Sequence, residues 1–447
     1  MEAGPYFQTA FSPSEFQRRR RRLCDAIGEG TALLQGAPET GAFSLFRQYN
    51  DFFYFCGVET SHAYLLVDGR SGQSTLYLLP RDERASQSDG PELNADDAEI
   101  ARRLTGVDDI KPIAALPQDL PHGRRVFVCQ AAAEGRQACQ DTLRYAAKRL
   151  QQDPLRGAIS AEAELCERIG AACGEVGDLS PIVAEMRALK SEAELQVMRR
   201  AGALTAEALK YAIRLTQPGV YEYQLAAAAE FVFLAGGAMG GAYRPIVASA
   251  DNIWNMHYYR NNRRLEAGDV VLMDYAPDVA CYTSDIGRMW PVAGAYPTAY
   301  RDLYGFVVDY HCVLLELIRP GESIDAICRR AAERMRPVAS RIRWQKESHA
   351  AAVENMLANG RPFTHPVGMA VHDGEPYLAR ALEPGVVFAL DPQLWVPEER
   401  LYVRVEDAVA VVADGVENLT AAAPHALDEV ERLVGTGGAL ELLDVQQ

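Results

Sequence analysis

Residues 269–288 read DVVLMDYAPDVACYTSDIGR, and this stretch decides how the C-terminal half folds. Val270–Met273 is an unbroken apolar run, the pattern of a buried strand. Pro277–Asp278 signals a turn, after which the chain returns antiparallel. With the hairpin centred between Val279 and Ala280, Asp274 and Asp285 face each other. Opposed Cβ atoms lie about 5 Å apart across strands, close enough for two carboxylates to reach one cation. Alone, such a pair reads first as two surface acids, so the flanking sequence must carry the argument.

Residues 363–373 read FTHPVGMAVHD, where Pro366 and Gly368 exclude a regular helix. His365 and His372 are therefore not neighbours on a helix face. One could be a ligand and the other a hydrogen-bond donor in the same cleft, although either alone reads as an ordinary satisfied histidine. Residues 385–407 read GVVFALDPQLWVPEERLYVRVED. Val386–Leu390 is a second buried strand, ending in Asp391 before Pro392, where the backbone must be extended. Val403–Glu406 alternates, so Arg404 and Glu406 share a strand face. An arginine beside acids is either a brace that orients a carboxylate or a plain ion pair. Asp274, Asp285, His365, Asp391 and Glu406 would be costly to gather on apolar strands without a compensating charge. A pair of divalent cations supplies it. Hard oxygen donors with one histidine suit Mn2+ or a similar metal, and two ions about 3.5–4 Å apart form a recurrent hydrolytic centre.

The chain has 447 residues, enough for two or three domains. A formal net charge of −16 argues against nucleic acid as a main partner. The run Arg18–Arg22 is the exception and reads as a solvated helix face. Residues 1–10 lack a secretory pattern, and no stretch of about 20 apolar residues predicts a membrane span. Nine scattered cysteines without a C-x-x-C pair predict reduced thiols and a cytoplasmic protein. Cys281, between the first two acids, reads as a small packed hydrophobe.

Residues 1–180 read as an α/β domain. Ser12–Glu15 predicts a capped helix start with proline in the first turn. Short runs at 32–34, 52–55, 64–67 and 75–79 predict strands, and 131–152 a helix. Asp178–Pro181 marks a boundary to a second domain, 181–447. There Ser191–Glu194 is a capping box opening a long helix that ends before Gln217–Gly219. Further helices are predicted at 221–235, 300–318 and 323–335, with strands over the rest to about 412. Gly236–Gly241 reads as a tight turn and not as a phosphate cradle.

Together these pieces resemble the pita-bread metallopeptidases, in particular the Xaa-Pro aminopeptidase (aminopeptidase P) and prolidase branch. EMRALKSEAELQVMRRAG (185–202) is similar to that family's linker and first helix, and PIVASADNIWNMHYYRNNRRLEAGDVVLMD (245–274) to its next segment. FQRRRRRL (16–23) and FRQYNDFFYFCGV (46–58) resemble the N-terminal domain of the aminopeptidase P group. The resemblance implies an α/β N-terminal domain over 1–180 and an α+β pita-bread catalytic domain over 181–447. It implies metal ligation by Asp274, Asp285, His365, Asp391 and Glu406, with Glu406 bridging two ions, Mn2+ first and Zn2+ or Co2+ as alternatives. It implies an active-site role for His257, a tyrosine near the metals at Tyr243, and stabilisation of the tetrahedral intermediate by His372. His257, His372, Asp391 and Arg404 are then the candidate catalytic residues, and Tyr243, His257 and His372 contact substrate. The implied activity is hydrolysis of the N-terminal Xaa-Pro bond of short proline-containing peptides by a homodimer or homotetramer. A prolidase-like dipeptidase, or a metal-poor binding protein, remains as the alternative. Asp391 departs from the family's glutamate, Arg361 stands where aminopeptidase P often has a histidine, and the Asp391–Glu406 loop is short.

Overall fold

The computed structural model describes residues 6–39, 41, 44–156, 159–374 and 379–437; residues 1–5 of the N-terminal stretch lie outside them. The chain divides into two compact units, Met1–Arg187 and Ala188–Gln447, so the division falls after the helix Ser180–Ala188 has nearly run its course.

The first unit is built on a six-stranded mixed sheet. Its strands are β1 (Thr31–Gln35), β2 (Tyr64–Asp68), β3 (Ser74–Leu78), β4 (Asp109–Pro112), β5 (Val126–Val128) and β6 (Val176–Asp178). Their order is β4-β3-β2-β1-β5-β6. The run at 52–55 is not a strand: Asn50–Cys56 is a helix, ended by Gly57 in the left-handed region. Its four consecutive aromatic side chains imitate a strand in sequence because all four are fully buried, which erases helical periodicity. The arginine run is also not a solvated face throughout. Arg19 and Arg20 are buried and donate to the carbonyls of Tyr54 and Phe55, at 2.9 and 2.7 Å, satisfying the end of that helix. The first helix, Pro13–Ile27, starts at Ser12, but the Ser12 hydroxyl meets Ser14 instead of capping, and Glu15 binds Arg18 and Arg19. The helix expected over 131–152 is confined to Gln140–Leu150.

In the second unit, the Ser191 box forms as expected: Ser191 Oγ accepts from Glu194 N and Glu194 accepts from Ser191 N, opening Glu192–Leu215. Helices Glu222–Ala235, Thr298–Leu317 and Ile324–Ala339 match the sequence reading; Glu347–Asn359 was not foreseen. The strands are β7 (Ile246–Ser249), β8 (Val270–Asp274), β9 (Ile286–Pro291), β10 (Phe363–Pro366), β11 (Val387–Leu390), β12 (Gln393–Val396), β13 (Leu401–Arg404), β14 (Glu406–Val412) and β15 (Gly415–Asn418). A curled antiparallel sheet runs β10-β11-β14-β9-β8-β7, with β15 added to β14, while β12 and β13 form a separate ribbon. Among the described residues no helix is long and apolar enough to cross a membrane.

The hairpin register differs from the expected one. Ala280 and Cys281, both at positive φ, form the turn, and Val279 bridges Tyr282. The centre thus lies one residue later than expected, and Asp274 stands opposite Gly287. Asp285 is diagonal to Asp274, not facing it.

Candidate metal centre

Five neighbouring strands each deliver one group to one edge of the sheet. β8 ends in Asp274, Asp285 immediately precedes β9, Glu406 opens β14, Asp391 follows β11, and His365 lies on β10. Antiparallel pairing puts the ends of β8 and β11 beside the starts of β9 and β14. β8, β9, β11 and β14 are buried along almost their whole length, so the acids at their ends are carried inward. Asp274, Asp285, Asp391 and Glu406 are all buried, Glu406 completely.

Two side chains gather them. Tyr243 directs its hydroxyl at Asp274 Oδ1 and Asp285 Oδ1, each at 2.8 Å. Arg404 meets Asp391 through two parallel bonds, Nε to Oδ1 at 3.0 Å and Nη2 to Oδ2 at 2.9 Å. Its Nη1 donates to Asp274 Oδ2 at 3.0 Å, and its Nη2 also contacts Glu406. The arginine is thus a brace on three carboxylates, more than the single one expected.

His365 Nε2 lies 3.4 Å from Asp285 Oδ2, and the His372 ring centre is 4.0 Å from that of His365. The donor atoms of Asp285, His365 and Glu406 lie within 4.8 Å of one another. His257 sits on an exposed turn, its ring 6.1 Å from that of Tyr259 and nearly parallel to it.

Charge is poorly balanced. Burial, then the nearby Asp274 charge, lifts Asp285 to about 8. Burial also raises Asp391 and Glu406 against the pull of Arg404. Burial, then His372, lowers His365 to about 3, so its imidazole is neutral and keeps a lone pair to offer. Glu406 Oε1 is buried with no hydrogen-bond partner among the described residues. Four acids, one guanidinium, a neutral imidazole and an orphaned carboxylate oxygen fit a cation site: hard donors in deficit of positive charge.

Three neighbours escaped the sequence reading. Gln393 donates to Asp391 Oδ2 across the single residue Pro392, and that closeness in sequence was the one usable signal. A Cβ on Gly287 would come 3.1 Å from both Cβ and Oε2 of Glu406 and 3.2 Å from Arg404 Nε. Lys190 pairs with Asp373 at 3.1 Å, both side chains buried, next to His372. Neither of the last two has a local sequence signature.

Residues 16–125 match the family model for the aminopeptidase P N-terminal domain and residues 196–413 that for metallopeptidase family M24. Xaa-Pro aminopeptidase of Escherichia coli is 31% identical over 95% of this chain and 98% of its own length. Human Xaa-Pro aminopeptidase 3 is 29% identical over 87% of this chain and 76% of its own. The structure of E. coli aminopeptidase P with the inhibitor Pro-Leu matches with a TM-score of 0.76 at 30% identity, covering 95% of this chain and 98% of that one. Pseudomonas aeruginosa aminopeptidase PepP matches at 0.74 and 27% identity, with the same coverage. With its curled sheet, its acid-rich edge and its aminopeptidase P N-terminal unit, this chain belongs to metallopeptidase family M24, in its pita-bread aminopeptidase P group.

Proposed function

We propose that this chain removes the first residue from short peptides whose second residue is proline, using two divalent ions, Mn2+ first. The observation that carries this reading is the orphaned Glu406 Oε1 within a ring of buried acids whose protons are held too tightly for bare carboxylates. Support for Xaa-Pro peptides comes from the relatives' names and the peptide complex of E. coli aminopeptidase P. That enzyme was also solved in zinc-substituted form, so Zn2+ stays a candidate.

In this reading Asp274, Asp285, His365, Asp391 and Glu406 hold the ions. Once bound, such ions supply Lewis acidity and lower the pKa of water toward neutrality. Arg404 and Tyr243 hold the carboxylates in place and leave Glu406 Oε1 facing inward. Asp391, buried and raised in pKa, takes up and relays the proton of the attacking water. His372, packed on His365, donates to the developing oxyanion, and His257 and Tyr243 border the substrate. An Xaa-Pro bond offers no N–H, so peptidases that depend on that donor handle it poorly. We also propose a cytoplasmic homodimer or homotetramer. The nine free cysteines support the compartment. Phe231 and Leu234, exposed on one helix, support association, which light scattering checks.

The test is elemental analysis after Mn2+ loading and desalting, with hydrolysis of Ala-Pro-Ala against Ala-Ala-Ala before and after chelation. Two ions per chain and Mn2+-restored cleavage of the proline peptide are expected. A folded protein that retains no metal would sink the reading.

A further inference from the structure

A cavity of about 510 Å3 opens beside the acid cluster, within the range of small-ligand sites. Its lining includes Thr364, exposed and next to His365 in the chain, and Gln393, which donates to Asp391. Met256, Phe363 and Trp395 give it apolar walls, and Asn359 adds an amide. Its one charged lining residue is Arg361, in a chain of net charge −16. Arg361 is exposed and makes no hydrogen bond or ion pair among the described residues. Arg361 also borders an adjoining hollow of about 810 Å3, whose Asp325 and Glu333 are offset by Arg329 and Arg336. A solvent-facing guanidinium repels an ammonium and attracts a carboxylate, which it can grip with two parallel bonds.

We infer that Arg361 is a specificity-determining residue that reads a carboxylate on the proline side of the scissile bond; the inference rests on the peptidase reading above. The separation in the chain suits it. Arg361 is four residues before His365, so their Cα atoms lie at most about 14 Å apart. An extended peptide covers the same distance per residue. The span to a carboxylate two or three residues past the scissile bond is compatible with that upper limit. That length describes Xaa-Pro-Yaa and slightly longer peptides. The carboxylate has two possible sources, the peptide C-terminus or an acidic side chain at the third position.

The experiment compares kcat/KM for Ala-Pro-Ala, Ala-Pro-Ala amide and Ala-Pro-Glu amide in wild type, Arg361→Gln and Arg361→Lys. One charge-assisted contact, discounted for exposure, is worth about tenfold. Wild type should prefer the free acid over the amide by about that factor, mainly through KM. Arg361→Gln should reduce the preference to about onefold to twofold, and Arg361→Lys should keep part of it. Recovery with Ala-Pro-Glu amide identifies a side-chain carboxylate as sufficient; no recovery assigns the site to the C-terminus. Equal acid-to-amide ratios in wild type and Arg361→Gln overturn the inference while leaving Xaa-Pro cleavage intact. Calorimetric binding of Pro-Ala against Pro-Ala amide reads the same preference without turnover, so the inference stays testable even if hydrolysis is absent. Arg361 is exposed, and circular dichroism confirms that the variants fold.

Discussion

At the scale of single residues, Asp391 is the informative departure. Both of its oxygens are engaged by Arg404 in a parallel pair, and Gln393 adds a third bond. With both oxygens so engaged, we propose that the backbone has moved to suit a side chain one methylene shorter than glutamate. Asp391→Glu should therefore lower kcat/KM on an Xaa-Pro peptide, by about 10²-fold if the oxygens move by about 1 Å. A clear gain in activity would show that the native site is impaired. The same burial predicts a pH effect. Asp285 holds its proton up to about 8, whereas in the unfolded chain it ionises near its ordinary 3.8. Over that window the metal-free native state binds more protons than the unfolded state, so stability falls as pH rises. His365, lowered to about 3 from 6.5, acts in the opposite sense below pH 6.5. The clean interval is pH 6.5 to 8. Chelated protein should lose thermal stability across it, and Mn2+ should flatten the dependence because cations replace the protons. A flat profile without metal would count against the charge deficit.

At the scale of elements, the β8–β9 hairpin and the start of β14 act together. Gly287 lies under Glu406 and Arg404 and opposite Asp274. Gly287→Ala would push a carbon to 3.1 Å from Glu406 Oε2, tighter than ordinary contact, so Glu406 must yield. We expect kcat/KM to drop about tenfold while the melting temperature changes little, since a shift of tenths of an ångström misplaces a ligand before it disrupts a core. Unchanged kinetics would show that the edge has slack. The turn at Ala280–Cys281 carries strain of its own. Both residues hold positive φ, at 48° and 65°, where glycine or asparagine is usual. Asp278 Oδ1 accepts from Cys281 N at 3.0 Å and helps hold the turn. Cys281 is fully buried, consistent with packing as its role.

For the whole molecule, every proposed ligand lies between residues 274 and 406, all within the unit Ala188–Gln447. Metal binding should stabilise that unit by linkage, about 2.7 kcal/mol at a free ion concentration of 100 Kd. The unit Met1–Arg187 has its own sheet and a core around Leu33, Tyr77, Val126 and Val128. Calorimetry with and without Mn2+ should therefore move one unfolding transition upward and leave the other in place. A single transition that shifts as a whole would show that the two units unfold as one.

The sequence by itself determined the α/β and α+β division, the Ser191 capping box and the strands that carry the acids. These rest on local rules, such as caps and apolar runs, that need no distant partner. It also put four acids and His365 forward together, as groups costly to gather on apolar strands without a compensating charge. Tertiary structure alone decided the rest. Arg19 and Arg20 are buried because a distant helix end at Tyr54 and Phe55 needed donors. The aromatic run became a helix because burial on all sides removes periodicity. The hairpin register moved by one residue because Ala280 and Cys281 accept left-handed backbone, which nothing in their chemistry announces. Gly287 and the Lys190–Asp373 pair became visible only when strands and loops far apart in sequence were brought within a few ångströms of each other.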